Sequence, residues 1–434
     1  MKRIVFLIAI LLGTFSTQAS NIDTTNITDD CKKLLRAIRS ENVALVRQLL
    51  KTTDANCIDK KPDFEKYEIG GYTYIKEKAR FPLFAAARKG NVAIAKLLIQ
   101  SGAKPKFYLD GDGTALLTAS RHGHLSFVKY MIELGANPKE YFPNYGNALI
   151  PAANNGRLEV VQYFIEQHAL EVDKVFPNQG TALIRASNNG HIKTIEYLLS
   201  KGAEVNRIAR NQGTAMIVAA NNGHTKTVEY LISKGGDMNL LSQNQGTPLT
   251  VAANNGNTET VKYLLSQGVD VNQEAPNQGT ALITAANNGQ TETVKLLIEQ
   301  GANVNQDVPN RGTALSVAAN NGQLQTIELL LLKGADINKV SRNHGTALTK
   351  AANNGHTRTV EFLIRRGADV NQISPNHGTA LIVAANNGYT DTVKFLIEKG
   401  ADLNIRVNER TALKAANNNG YSDTASYLRK KGAR

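Results

Sequence analysis

One feature constrains this chain more than any other: it repeats itself. Aligned on a threonine, Thr181, Thr214, Thr247, Thr280, Thr313, Thr346 and Thr379 stand 33 residues apart, and the text between them is nearly the same each time. A unit this short cannot close a core of its own, so a chain built from it must bury each copy against the next and grow as a row. The usual expectation that 434 residues divide into two or three round domains therefore does not apply, and the chain reads as one array.

Within the copy "NQGTALITAANNGQTETVKLLIEQGANVN", Asn277 to Asn305, Leu282, Ala285 and Ala286 fall at helical spacing, and Val294, Leu297 and Ile298 repeat the pattern after Gly289. These are two short amphipathic helices in succession. Thr280 stands where a hydroxyl would cap the first helix, with Ala281 next, a place held by Pro82 and Pro248 elsewhere. Gly289 and Gly301 stand where each helix must stop, and Asn, Pro and Gly supply the turns to the next copy. Helices under about 12 residues are marginal in water. Stacking is what makes them stable.

The period, the Thr-Ala/Pro-Leu and Ala-Ala-x-x-Gly segments and the Leu-Leu-x-x-Gly-Ala-Asp/Asn-Val-Asn ending resemble the ankyrin repeat, as in Gly246 to Asn272, "GTPLTVAANNGNTETVKYLLSQGVDVN". The resemblance implies an all-α ankyrin-repeat solenoid of about twelve helix-turn-helix units with short β-turn fingers. By this reading residues 20–55 form a divergent N-terminal capping unit, 56–80 an insertion, 81–410 the repeat array and 411–434 the C-terminal cap. The family's usual histidine after Thr-Pro-Leu is replaced by Ile184, Ile217, Thr250, Ile283, Ser316, Thr349, Ile382 and Lys414, and the turn glycine lies directly before the threonine. In the insertion, Tyr67 and Ile69, then Gly70-Gly71, then Tyr72 to Ile75 predict a small hairpin turning at the glycines.

Residues 1–19 read as a secretory signal peptide: Lys2 and Arg3, the apolar run Ile4–Leu12, and a Thr-x-Ala cleavage pattern ending at Ala19. That run is too short for a membrane span, for which about 20 apolar residues are needed, and no later stretch approaches one. A periplasmic or secreted protein, bacterial by the style of its leader, is expected. Cys31 and Cys57 would then lie in an oxidising compartment, where they either pair or remain two inert thiols. The net charge of +13 is spread along the chain, and only "LRKKGAR" at the C-terminus forms a basic run, so a nucleic-acid partner is not expected.

No catalytic apparatus appears. The eight histidines are scattered without metal-ligand spacing, and there is no phosphate loop, nucleophile elbow or cysteine cluster, so neither an enzyme nor a cofactor or metal site is expected. Nine Asn pairs precede glycine, their first members including Asn154, Asn188, Asn221, Asn254, Asn287, Asn320, Asn353 and Asn386. In the ankyrin family these positions end the inner helix and face the concave groove, so they either bond to one another from repeat to repeat or touch a ligand.

Aromatic residues are unevenly placed. Phe107, Tyr108, Tyr141, Phe142 and Phe176 occupy the turns of the early repeats, beside Tyr72, Tyr74 and Tyr145, whereas later repeats carry Leu241, Ala275, Val308, Ser341 and Ser374. Exposed on projecting turns they would make a protein-binding hot spot; packed on one another and on the insertion they would close the N-terminal end of the stack. Tyr130, Tyr163, Tyr197, Tyr230, Tyr263, Phe362, Phe395 and Tyr427 share one place in the second helix and are expected to pack. The function implied is non-catalytic protein binding through groove and turns, the partner being an envelope or host protein. The alternatives are a structural spacer, or ligand or glycan binding along the Asn-rich groove.

Overall fold

The computed structural model describes residues 29–57, 66–69, 72–75, 81–109, 113–242, 246–341 and 343–434; the expected leader, 1–19, and the Gly70-Gly71 tip of the insertion lie outside them. Among the described residues 24 helices follow one another as helix-turn-helix pairs, with a few short strands. The chain divides into two compact units, 1–170 and 171–434.

Unit 171–434 shows how the repeated text becomes structure. Each first helix has 7 residues and each second helix 9, as in Ala281–Asn287 and Thr291–Glu299. Thr280 sits in the extended region before the first helix, and its hydroxyl accepts the Ile283 N–H at 3.3 Å. This satisfies one of the amides that a helix start leaves open. Gly289, at φ +70°, ends that helix in the left-handed conformation, and the Gln290 N–H reaches back to the Ala285 carbonyl at 2.9 Å. A Cβ at Gly289 would also collide with the Gln323 side chain of the next repeat. At three of the positions where the family's histidine is replaced, Thr250, Ser316 and Thr349 close capping boxes, accepting the N–H of Thr247, Thr313 and Thr346 at 2.8, 3.0 and 2.8 Å.

The first helices bury nearly all their length, Leu282, Ile283, Ala285 and Ala286 among them, whereas the second helices bury one stripe, here Thr293, Val294 and Leu297. First helices pack on neighbouring first helices more closely than second on second, which makes the first-helix layer the inner face of this unit. Hydroxyls also link the second helices: Thr258 to Thr293 and Thr291 to Thr326, each at 2.8 Å. The rings expected to pack in the second helices, Tyr197, Tyr230, Phe362, Phe395 and Tyr427 here, are half-buried rather than in the core, and each carries a cation over its face at 4.9–5.6 Å, such as Arg366 over Phe362.

Between pairs the chain makes a short finger, three residues closed by a β-bridge. Ala275 and Gly279 exchange N–H···O bonds at 3.0 Å around Asn277, which sits at φ +60°. Asparagine tolerates this left-handed backbone better than most residues.

Unit 1–170 holds four helix pairs, from Asp29–Arg39 with Val43–Leu49 to Leu149–Asn154 with Leu158–His168. Cys31 and Cys57 are joined by a disulfide, with 5.9 Å between their Cα atoms. In the insertion, β1 (Lys66–Ile69) pairs antiparallel with β2 (Tyr72–Ile75). A link the sequence does not announce follows: β2 pairs in parallel with β3 (Phe107–Leu109), Tyr74 opposite Tyr108, and β3 pairs with β4 (Gly113–Thr114). The insertion thus extends a finger into a four-stranded sheet.

Candidate functional site

Of the two arrangements open to the early aromatics, projecting or packing, burial favours packing for four of them. Phe107, Tyr108, Phe142 and Phe176 are buried, and only Tyr141 stands out, 47% exposed, with Tyr145 half-buried. The Phe107 ring lies 5.4 Å from that of Phe81; the Tyr108 ring stacks on Phe142 at 5.4 Å and meets Tyr145 edge-on at 6.2 Å; the Tyr108 hydroxyl donates to the Pro143 carbonyl at 3.1 Å. These four rings therefore pack rather than project. The reason is the bridge: its first residue turns toward the neighbouring finger, and the residue before it turns out. In unit 171–434 the outward residues of three consecutive fingers are Val175, Ile208 and Leu241, 39%, 51% and 41% exposed. Tyr72 and Tyr74 are placed by backbone alone, in β2; their rings lie outside the described part.

The Asn pairs form a ladder. The side chain of the second Asn of each pair donates to the first Asn of the preceding repeat: Asn222 to Asn188 Oδ1 at 3.0 Å, Asn255 to Asn221 at 2.8 Å, Asn288 to Asn254 at 2.7 Å and Asn321 to Asn287 at 2.9 Å. The rungs continue from Asn354 to Asn320 at 2.8 Å, Asn387 to Asn353 at 3.1 Å and Asn419 to Asn386 at 3.1 Å. Asn154 belongs to the other unit, where its neighbour Asn155 folds back on the Pro151 carbonyl at 2.8 Å. A parallel ladder that sequence reading did not single out runs along the loops, for example the Asp336 N–H to Asn305 Oδ1 at 2.8 Å and the Asp369 N–H to Asn338 Oδ1 at 2.9 Å.

Beside the Asn ladder the inner face carries a recess of about 340 Å³, lined by Asn188, Asn221 and Asn254 on one side, Val218, Thr250 and Val251 on the floor, and Gln212 and Gln278 of the fingers on the other. Three columns of the repeat thus meet there: the first Asn, the fourth residue after the threonine, and the residue before the finger glycine. Arg185 shows how closely floor and finger approach, since its guanidinium donates to the carbonyls of Gln179 at 2.6 Å and Asn178 at 2.7 Å. Its burial pushes the guanidinium down from its usual pKa.

Along these columns residue size and charge change from copy to copy, whereas the buried leucine column beneath them changes once, to Met216. The floor reads Arg185, Val218, Val251, Thr284, Val317, Lys350 and Val383; the finger reads Gln179, Gln212, Gln278, Arg311, His344 and His377. Lys350 is half-buried, and desolvation lowers its pKa. His344 is pushed down by burial, with Lys350 and Arg311 adding to the shift and a backbone bond to Asn310 and the Asp307 carboxylate opposing it; His377 is pushed down by burial, then by Lys350, His344 and Arg410. Nothing in the recess pairs a nucleophile with a base, and no three His, Cys, Asp or Glu among the described residues converge on a metal position. The arrangement suits an extended polar chain with apolar side chains over the valines. Its signal was present in the sequence, in columns that differ between otherwise identical copies.

A family model described as ankyrin repeats (3 copies) matches residues 34–142, 139–209, 207–275, 272–341, 315–407 and 348–434. Among solved structures, the crystal structure of the human ASB11 ankyrin repeat domain is 28% identical over 51% of this chain and 98% of its own, with a TM-score of 0.45. No curated protein sequence matches.

Proposed function

Since the chain belongs to the ankyrin repeat family, we propose that it is a non-catalytic scaffold that binds another protein along the recess of its inner face, in the cell envelope or outside the cell. The observation that carries this reading is where the copies differ. A scaffold gains nothing from changing Val251 to Lys350, or Gln278 to Arg311 or His344, while the buried leucines underneath stay fixed but for Met216. A recognition surface does, because a partner is not itself periodic. The exposed Tyr141, and the outward Val175, Ile208 and Leu241 of the fingers, add apolar contact of the kind that anchors partners. The compartment rests on the leader-like residues 1–19 and on the Cys31–Cys57 disulfide, a bond that persists where the surroundings oxidise.

The test is a photo-cross-linking residue placed at Gln212, which lines the recess, and, as a control, at Lys226 on an exposed second-helix face. One protein cross-linked from 212 and not from 226, in native envelope and culture fluid, is the expected result. Equal, featureless labelling from both refutes it and favours a stiff spacer, the second reading that the Asn ladders support. Glycan binding loses ground for the same reason, since much of the amide capacity of the pairs is already engaged.

A further inference from the structure

We propose that the inner face around Lys350, at the places three repeats on from the recess, docks a carboxylate-bearing segment of the protein partner. The proposal rests on the reading that the recess takes a partner and names the chemistry of what enters it.

Two parts of one surface differ in charge. The recess around Val251 is neutral, lined by Asn188, Gln212, Val218, Asn221, Thr250, Val251, Asn254 and Gln278. Moved on by three repeats, the same places hold Arg311 for Gln212, Lys350 for Val251 and His377 for Gln278, and the remaining five are unchanged. Every difference introduces a cationic or protonatable group. His344 lies on the finger between, and Arg410 on the next one. The half-buried Lys350 amine has no hydrogen-bond or ion-pair partner among the described residues, unlike Arg185, which uses its own finger's carbonyls. No first helix of unit 171–434 contains an acidic residue. The carboxylates at the fingers of this stretch are Asp307 and Glu409, and Glu409 is engaged by Arg406 at 3.4 Å. A cation held in a partly dry recess without a counter-charge costs stability, and a ligand carboxylate removes that cost while gaining a charge-assisted bond.

A peptide fits better than a nucleic acid. The cations lie on four successive fingers around Lys350, and the floor on either side of it, Val317 and Val383, is apolar, which suits side chains rather than a phosphate backbone.

The experiment measures fluorescence anisotropy of labelled hexaglutamate, hexaglutamine and a hexathymidine oligonucleotide against the full-length chain at low salt. Lys350→Val installs the residue that other repeats carry, so folding should persist, and a thermal melt verifies it. Lys226→Gln removes an equal charge from the exposed second-helix face. We expect hexaglutamate to bind and hexaglutamine not to. Lys350→Val should weaken hexaglutamate about tenfold, with a further loss for Lys350→Val/His377→Gln and none for Lys226→Gln. Equal losses for Lys350→Val and Lys226→Gln, or tighter binding of the oligonucleotide, overturn the proposal. A recess cross-link from position 212 together with hexaglutamate binding indifferent to Lys350 overturns the acidic class and leaves the scaffold reading standing. Lys350-dependent hexaglutamate binding with no cross-linked protein does the reverse.

Discussion

Replacing Asn354 with alanine tests whether the Asn ladder couples one repeat to the next. Its half-buried amide donates to Asn320 twice, to the main-chain oxygen at 2.9 Å and to Oδ1 at 2.8 Å. Two neutral hydrogen bonds contribute roughly 0.5–1.5 kcal/mol each net of water, and alanine returns a few tenths of a kcal/mol in helix propensity. The expected loss is therefore about 1–2 kcal/mol. Only one of the two bonds involves the Asn320 side chain, so a double-mutant cycle of Asn354→Ala with Asn320→Ala should show a coupling of about 0.5–1.5 kcal/mol. Pairing Asn354→Ala with Asn254→Ala, three repeats away, should give simple additivity. Because an array can open repeat by repeat, the readout is native-state hydrogen exchange at the amides of Ala347–Asn353 and Ala314–Asn320. A coupling under about 0.3 kcal/mol for the adjacent pair would refute the ladder as an energetic link.

Further outcomes follow from burial, backbone and charge. Phe176→Ala should cost about 3–5 kcal/mol as a buried ring is lost, whereas Tyr141→Ala should change stability by under about 0.5 kcal/mol; thermal melts of the two variants check this. Gly289→Ala should destabilise more than Gly301→Ala, since both are left-handed but only Gly289 has the Gln323 side chain where the methyl would go. Urea midpoints should separate them by under about 1 kcal/mol, because the Gln323 amide is the end of a flexible side chain and can move aside. His344 and His377 both have folded pKa values below the usual one, so the unfolded chain takes up protons first as pH falls. Their effect on stability is nil above about pH 6.5 and grows unfavourable below it. His344→Gln/His377→Gln should therefore flatten the loss of stability between about pH 6.5 and 5 in urea titrations, and an unchanged slope would count against the burial argument.

How far the sequence went is clearest in single residues. Thr280, Gly289 and the spacing of Leu282, Ala285, Val294 and Leu297 determined helix, cap, helix and stop, because those interactions span three to five residues, and the 33-residue period then required the copies to stack. The role of Phe142 and Phe176 was not decidable that way. In a finger, successive side chains point to opposite sides, so one position of register separates buried Phe142 from exposed Tyr141. The pairing of β2 with β3 was likewise decided by the fold, since it joins segments more than thirty residues apart with no local signal. The same holds for the recess. Asn188, Gln212, Val251 and Gln278 are spread over three repeats and become neighbours only when first helices lie side by side. The sequence determined what each copy would be; the tertiary structure decided which residues of different copies would meet, because those contacts act across the stack and leave no period of their own.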